Sequence, residues 1–189
     1  MRITLNGYFN YGNRLQLFAL AKILKDLKPG DDLSVYWPRG LRKNLKDLIS
    51  IRKRLNAELF RRRKIKKFTK KFIPKSVNDF DCDCSIIGSD QVWNSNYYKD
   101  AQYLLNVPNN SIKISYAASV GKDELSNVEI AEFKKALKDY KAISVREKSA
   151  KKLLQPLTDK NIEVVLDPTL LLDVSEYEKL EKKPKNITE

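Results

Sequence analysis

At 189 residues the chain has material for one domain with a sizeable core, and nothing in its length demands a second. There is no apolar run of roughly eighteen residues or more, and the opening Met-Arg-Ile-Thr-Leu-Asn lacks the apolar core of a signal peptide; the expectation is a soluble, cytoplasmic protein. The net charge of +13 suggests a polyanion binder until it is located: residues 42–75 hold 15 Lys and Arg against Asp47 and Glu58, while the rest of the chain balances at 22 of each sign, so one basic segment rather than a basic protein needs explaining.

Residues 2–8 alternate and are rich in β-formers, which predicts the first strand. Asn10, Tyr11, Gly12 and Asn13 read as the turn after it, with Asn13 as a helix cap, and residues 15–27 as a helix apolar on more than one face. One glycine stands where a dinucleotide fingerprint has three, which argues against dinucleotide binding. Lys28-Pro29-Gly30 ends the helix, and residues 33–37 predict the second strand. Across 41–72 the apolar residues Leu45, Leu48, Ile49, Leu55, Leu59, Ile65, Phe68 and Phe72 recur at helical spacing among the basic ones. Such a stretch suits an anionic lipid surface or a polyanion, and equally the solvated face of ordinary helices covering a sheet.

After Pro74 the chain turns through Asn78 and Asp79 into a central strand over 84–87 that stops at Gly88. Cys82 and Cys84 flank its start; with no other Cys and no His anywhere they make no zinc site, and neighbours so close are poorly placed for a disulfide, so they read as reduced packing residues. Residues 102–107 read as a short extended segment and Pro108-Asn109-Asn110 as a turn. Residues 113–118 predict a strand, and 123–140 contain a helix whose buried face is Val128, Ile130, Ala131, Phe133, Ala136 and Leu137. A strand over 142–145 leads straight into Arg146-Glu147, a helix over 149–157 breaks near Pro156, and a last strand over 162–166 is closed by Asp167-Pro168-Thr169. This repeated strand-helix alternation predicts an α/β fold: a Rossmann-like, doubly wound, mostly parallel sheet with helices on both faces. It spans residues 1–173, with a basic helical segment at 41–73 and a charged tail at 174–189.

The stretch Gly88-Ser89-Asp90-Gln91-Val92-Trp93-Asn94 crowds hydroxyl, carboxylate and amide groups at the end of the central strand, where open α/β sheets bind ligands. By itself a Gly-Ser-Asp after a strand is more often a turn with a Ser or Asp cap. The seven residues, however, resemble the signature of the polysaccharide pyruvyl transferase family. Four more stretches agree with that family in order and spacing: N-Y-G-N-R-L-Q (10–16), I-S-Y-A-A-S (114–119), I-S-V-R-E-K-S (143–149) and V-V-L-D-P-T-L-L (164–171). The matches cover nearly the whole chain but only the family's N-terminal half. The family's architecture is similar to that of the two-domain glycosyltransferases of GT-B type, so the chain looks like an N-terminal domain whose second Rossmann-like half would begin near residue 178.

The resemblance implies transfer of a pyruvyl group from phosphoenolpyruvate to two hydroxyls of a sugar, forming a cyclic ketal on a surface polysaccharide or its lipid-linked precursor. It implies no cofactor beyond that donor. The reaction needs an acid for the donor's methylene carbon, a base for a sugar hydroxyl, and cations for carboxylate and phosphate. Asp90 is the candidate acid, base or sugar holder, and Arg14 and Arg146 are the candidates for the anion. Asn10, Asn13, Gln91 and Asn94 are placed to hydrogen-bond the sugar, with Tyr11 or Trp93 against its apolar face and Gly12, Gln16, Gly88, Ser89 and Ser119 lining the same cleft. Each has a structural alternative: Trp93 as core, Asp90 as a cap, Arg146 paired with Glu147 or Asp167, and Asp167 as a turn former. With no His in the chain, the second half would have to complete the site, and this half alone is expected to be inactive.

Two other functions fit the same residues. One is the acceptor-binding half of a GT-B-like glycosyltransferase, since a fold does not fix a reaction. The other is a non-enzymatic domain whose basic stretch grips a polyanion or a membrane. Expected partners are a sugar or lipid-linked oligosaccharide acceptor, with residues 42–75 as the candidate for peripheral contact at the inner membrane face. Nucleic acid is not expected, because few aromatics interleave with the basic run.

Overall fold

The computed structural model of the chain describes residues 1–4, 10–36, 55–77, 81–96 and 111–181. Among them, seven strands form one sheet: β1 (Arg2–Thr4), β2 (Ser34–Tyr36), β3 (Ser76–Val77), β4 (Cys84–Asp90), β5 (Ile112–Ala118), β6 (Tyr140–Val145) and β7 (Ile162–Val164). Their order is β3-β2-β1-β4-β5-β6-β7 and every neighbouring pair is parallel. Parallel neighbours need long crossovers. Helices α1 (Tyr11–Leu27), α2 (Leu55–Phe72), α3 (Asn127–Ala136) and α4 (Lys148–Leu154) supply them, and a short α5 (Val174–Glu178) follows β7.

Successive residues of a strand point to opposite faces, and β4 shows what each face holds. Ile86 joins Ile3, Leu17, Phe18, Leu20 and Val35 under α1 and α2, whereas Ile87 joins Trp93, Phe133, Tyr140, Ile143 and Leu154 under α3 and α4. The sheet is thus doubly wound, as the alternation of elements predicts. Fully burying each such side chain contributes roughly 1.5–3 kcal/mol. Among the described residues no helix is long and apolar enough to cross a membrane.

Several local expectations need correction. Residues 11–13 are not a turn: α1 begins at Tyr11, and its cap is Asn10 rather than Asn13. β4 does not stop at Gly88; it runs to Asp90 because Gly88 and Asp90 still pair with Tyr116 and Ala118 on β5. The buried face of α3 is Glu129, Phe133 and Ala136, while Val128 is 68% exposed. Its capping box explains the rotation. The Ser126 hydroxyl accepts from the Glu129 amide, and the Glu129 carboxylate accepts from the Ser126 amide, which turns Glu129 inward and Val128 out. Lys122 and Ser95 then satisfy the other carboxylate oxygen, each donor 2.6 Å away. The basic helix is described from Leu55 onward; residues 41–54, the segment 97–110 with its expected extended piece and turn, and residues 182–189 lie outside the described residues.

Near the end of β5 the register shifts between Ser115 and Ala118, and Ala117 takes φ 51°. Two buried hydroxyls replace the ladder there. Ser115 Oγ accepts from the Ser144 amide (3.0 Å) and donates to the Ser144 carbonyl (3.1 Å), while Ser144 Oγ accepts from the Ala117 amide (3.2 Å) and donates to the Ser115 carbonyl (2.8 Å). Beyond β7 the chain crosses back over the α1 face. Tyr116 and Tyr177 donate their hydroxyls to the carbonyls of Leu166 (3.2 Å) and Thr169 (2.7 Å), and Leu172, Tyr177 and Leu180 pack on the core beneath α1 and α2.

Candidate functional site

β1 has β2 on one side and β4 on the other, so the winding of the sheet reverses between β1 and β4. Outside the carboxyl ends of two such strands, neighbouring connections leave in opposite directions and a crevice opens. Its two walls are the start of α1 and the end of β4. On the first wall Asn10 Oδ1 accepts from the amides of Gly12 (2.8 Å) and Asn13 (3.4 Å), which fixes the start of α1 at the crevice. On the second wall Gly88 has φ 139° and a peptide bond to Ser89 in the cis form. A Cβ on Gly88 would stand 2.0 Å from the Tyr116 carbonyl oxygen, so only glycine lets β4 lie this close to β5.

Asp90 follows at φ 149°, a region normally left to glycine and costing about 1–3 kcal/mol. Surrounding bonds hold it there. Its carbonyl accepts from the amides of Val92 (2.6 Å) and Ser119 (2.9 Å), and its Oδ1 accepts from the Gln91 amide (2.8 Å). The other oxygen, Oδ2, lies 3.4 Å from the Asn13 Nδ2 that donates to it, across the crevice. No helix follows within residues 91–96, so Asp90 closes a turn instead of capping a helix. Asn13 also accepts at Oδ1 from Arg14 Nη1 (2.9 Å), which links guanidinium, amide and carboxylate in one chain. Arg14 is 3% exposed and donates from Nε to Thr69 Oγ1 (3.0 Å) on α2. Burial pulls its pKa down to about 10, which leaves it charged at neutral pH.

The other expected residues divide into those at the crevice and those beneath it. Tyr11 is exposed at the mouth and Gln91 is half-buried beside Asp90. Ser89 is 5% exposed, and its hydroxyl is buried without a hydrogen-bond partner among the described residues. Trp93 is 1% exposed and stands edge-on between Phe133 and Tyr140, so it supports the loop from below and presents no face to a ligand. Asn94 also works inside the loop: its Nδ2 donates to the Gly121 carbonyl (3.2 Å) and Gln91 Oε1 (3.3 Å), and its Oδ1 accepts from the Asn96 amide (3.0 Å). Ser119 is fully buried and donates to Glu147 Oε1.

Two acidic groups matter more here than their sequence context suggests. Asp167 reads as a turn former before proline, yet its Oδ2 accepts from both Gln16 Nε2 (2.5 Å) and Arg146 Nη1 (3.2 Å), joining α1 to the end of β6. Its Oδ1 accepts from the Thr169 amide (3.0 Å) and hydroxyl (2.7 Å). Burial pushes this carboxyl up, but the donors from Thr169, Gln16 and Arg146 outweigh that and hold it below the usual carboxylate range. Glu147, at the carboxyl end of β6, keeps its Oε2 buried and without a partner among the described residues. The signal for both was a place directly after a predicted strand end; for Asp167 the partners themselves lie 151 and 21 residues away, so the sequence alone does not bring them together. The carboxyl edge of the sheet thus carries three carboxylates, two arginines and several amides at the ends of β4, β5, β6 and β7 and the start of α1. That donor set suits a polar, anionic or hydroxyl-rich ligand.

No curated protein and no solved structure matches the chain. The family model for polysaccharide pyruvyl transferase matches residues 10–189, a span that takes in α1 with its Asn10 cap, the β4 turn and every edge residue just described. The chain belongs to the polysaccharide pyruvyl transferase family.

Proposed function

We propose that this chain is the N-terminal half of a transferase that moves the pyruvyl group of phosphoenolpyruvate onto two hydroxyls of one sugar, on a surface polysaccharide or its lipid-linked precursor, at the inner face of the membrane. A second Rossmann-like half completes the site. The observation that carries the reading is the Asp90 carboxylate held at the β1–β4 crevice, with Asn13 across from it and Gln91 beside it. In the reaction the donor's methylene carbon gains a proton, its central carbon bonds a sugar oxygen, and a second sugar oxygen then displaces phosphate at the same carbon. Two hydroxyl protons balance the new methyl hydrogen and the released phosphate. Asp90 takes one of these protons, a role its carboxylate at the crevice is able to fill. Arg146 holds the donor's anion with the guanidinium donors that Asp167 leaves over.

The test is phosphate release from phosphoenolpyruvate with a soluble sugar acceptor, by the chain together with its second half. Asp90→Asn keeps the shape and removes the proton carrier, so a proton-transfer role predicts a loss of about 10²-fold or more in turnover. A higher Michaelis constant for the sugar with turnover intact would reduce Asp90 to a hydroxyl holder. Unchanged kinetics would remove it from the site. Consumption of a nucleotide sugar in place of phosphoenolpyruvate would move the reading to glycosyl transfer.

A further inference from the structure

Beside the crevice, on the far side of the first turn of α1, lies a groove of about 510 Å³ between α1, α2 and the chain just after α5. Its volume is typical of a small-molecule site. On α2 two stripes border it at helical spacing. Ile65, Phe68 and Phe72 form the floor, with Ile65 2% exposed and the two rings packed edge-on or tilted against Phe18 and each other. Lys64, Lys67 and Lys71 form the rim. Leu15 and Leu180 extend the apolar surface on the opposite side, and Arg14 closes the end nearest Asn13. Lys179 also reaches the groove, but Glu176 pairs with it at 2.6 Å.

Among the described residues no acidic side chain lines this groove, and Lys64, Lys67 and Lys71 border its apolar floor, with the Lys71 ammonium 4.8 Å over the Phe72 ring. A free sugar offers nothing to that floor, and a bare phosphate would use only the rim. An ordinary solvated helix face would put its lysines outward and leave no cavity lined with phenylalanine behind them. The groove also ends at Arg14, which reaches Asp90 through Asn13. We propose that the groove is a subsite for the lipid-phosphate end of the acceptor: a phosphate or diphosphate on the Lys64, Lys67 and Lys71 rim, with the first hydrocarbon units over Phe68, Phe72 and Leu180. This rests on the reading of the crevice as the sugar site, because one molecule then spans both. The basic helix is on this account a substrate-binding wall rather than a general membrane anchor.

The experiment measures calorimetric binding of farnesyl diphosphate to the chain, against inorganic pyrophosphate, farnesol and phosphatidylglycerol vesicles. Farnesyl diphosphate is expected to bind at least about 10-fold tighter than pyrophosphate or farnesol, because only it uses rim and floor together. Lys67→Glu with Lys71→Glu should weaken it by about 10-fold or more, while Lys66→Glu with Lys70→Glu, an equal charge change on exposed positions of the same helix outside the groove, should change it less than about 3-fold. Circular dichroism checks folding, and the paired Gln substitutions replace the reversals if those prevent it. Equal binding of farnesyl diphosphate and pyrophosphate, or equal losses in the two double variants, overturns the subsite. Binding to the vesicles without binding of farnesyl diphosphate overturns it in favour of a membrane-surface helix. Asp90→Asn should leave farnesyl diphosphate binding intact, so failure of the ketal chemistry and failure of the groove show separately.

Discussion

The two faces of the sheet are built on different terms. Under α3 and α4 the core is closed: Trp93, Tyr140 and Phe133 are the largest fully buried side chains of the described residues, with Trp93 edge-on to each of the other two. Under α1 and α2 the buried core is mainly aliphatic with Phe18 among it, the aromatics Phe68 and Phe72 are only half-buried, and a row of lysines borders an open groove. The crevice lies on the seam between these halves, with Asp90 rising from the strand they share and Asn13 from the helix of the open face. A rigid half that holds the carboxylate, beside an open half that offers charge and apolar surface, separates the tasks of positioning and of ligand binding.

Removing one aromatic from each face tests that contrast most strongly. Trp93→Ala empties a closed site and is expected to cost about 3–5 kcal/mol, roughly 10 °C or more in melting temperature, whereas Phe68→Ala at the groove should cost about half as much. Equal losses in thermal denaturation would mean that the α1–α2 face is as tightly closed as the other. Gly88→Ala addresses the seam itself. Its Cβ would meet the Tyr116 carbonyl at 2.0 Å at φ 139°, and the expected loss is about 2–4 kcal/mol with cleft geometry disturbed. A melting temperature within a degree of the parent would show that β4 has room to shift away from β5.

Acid stability sharpens the comparison on the α3 side. Burial would raise the Glu129 pKa, but hydrogen bonds from Lys122, Ser95 and Ser126 lower it from 4.5 to about 2. A carboxyl depressed in the folded state binds its proton more weakly than in the unfolded chain, so its contribution is complete above about pH 4.5 and is lost as pH falls toward 2. Asp167, depressed in the same direction, adds to the same acid limb. Glu129→Gln should remove on the order of 2 kcal/mol at neutral pH and flatten the fall in denaturant midpoint across that window. An unchanged slope between pH 5 and pH 3, roughly the range a carboxylate titrates through, would show that this cluster does not govern acid stability.

Much of this was legible before any coordinates. Apolar runs of strand length alternating with helical spacing predict the parallel, doubly wound sheet because both periods are local properties of the backbone. The candidate site residues rest instead on the resemblance of short stretches such as 88–94 and 10–16 to the family. What was misjudged depends on neighbours distant in sequence. Gly88 reads as a strand stop until Asp90 is seen to pair with Ala118, and Trp93 reads as a sugar platform until Phe133 and Tyr140 enclose it. Val128 looks like core and Glu129 like surface until Lys122 and Ser95 draw the carboxylate inward.

Periodicity and the position of glycines therefore determined the class of fold and the strand ends at which to look for chemistry, while five short stretches pointed to the family by resemblance. Only the tertiary structure decided that Gln16, Arg146 and Asp167 meet, that Arg14 joins Asn13 to α2, and that the lysines of the basic helix border a cavity. The reason is physical. Backbone preferences act between residues a few positions apart, whereas a carboxylate takes the partners that the winding of a parallel sheet delivers to one edge, and those come from the whole length of the chain.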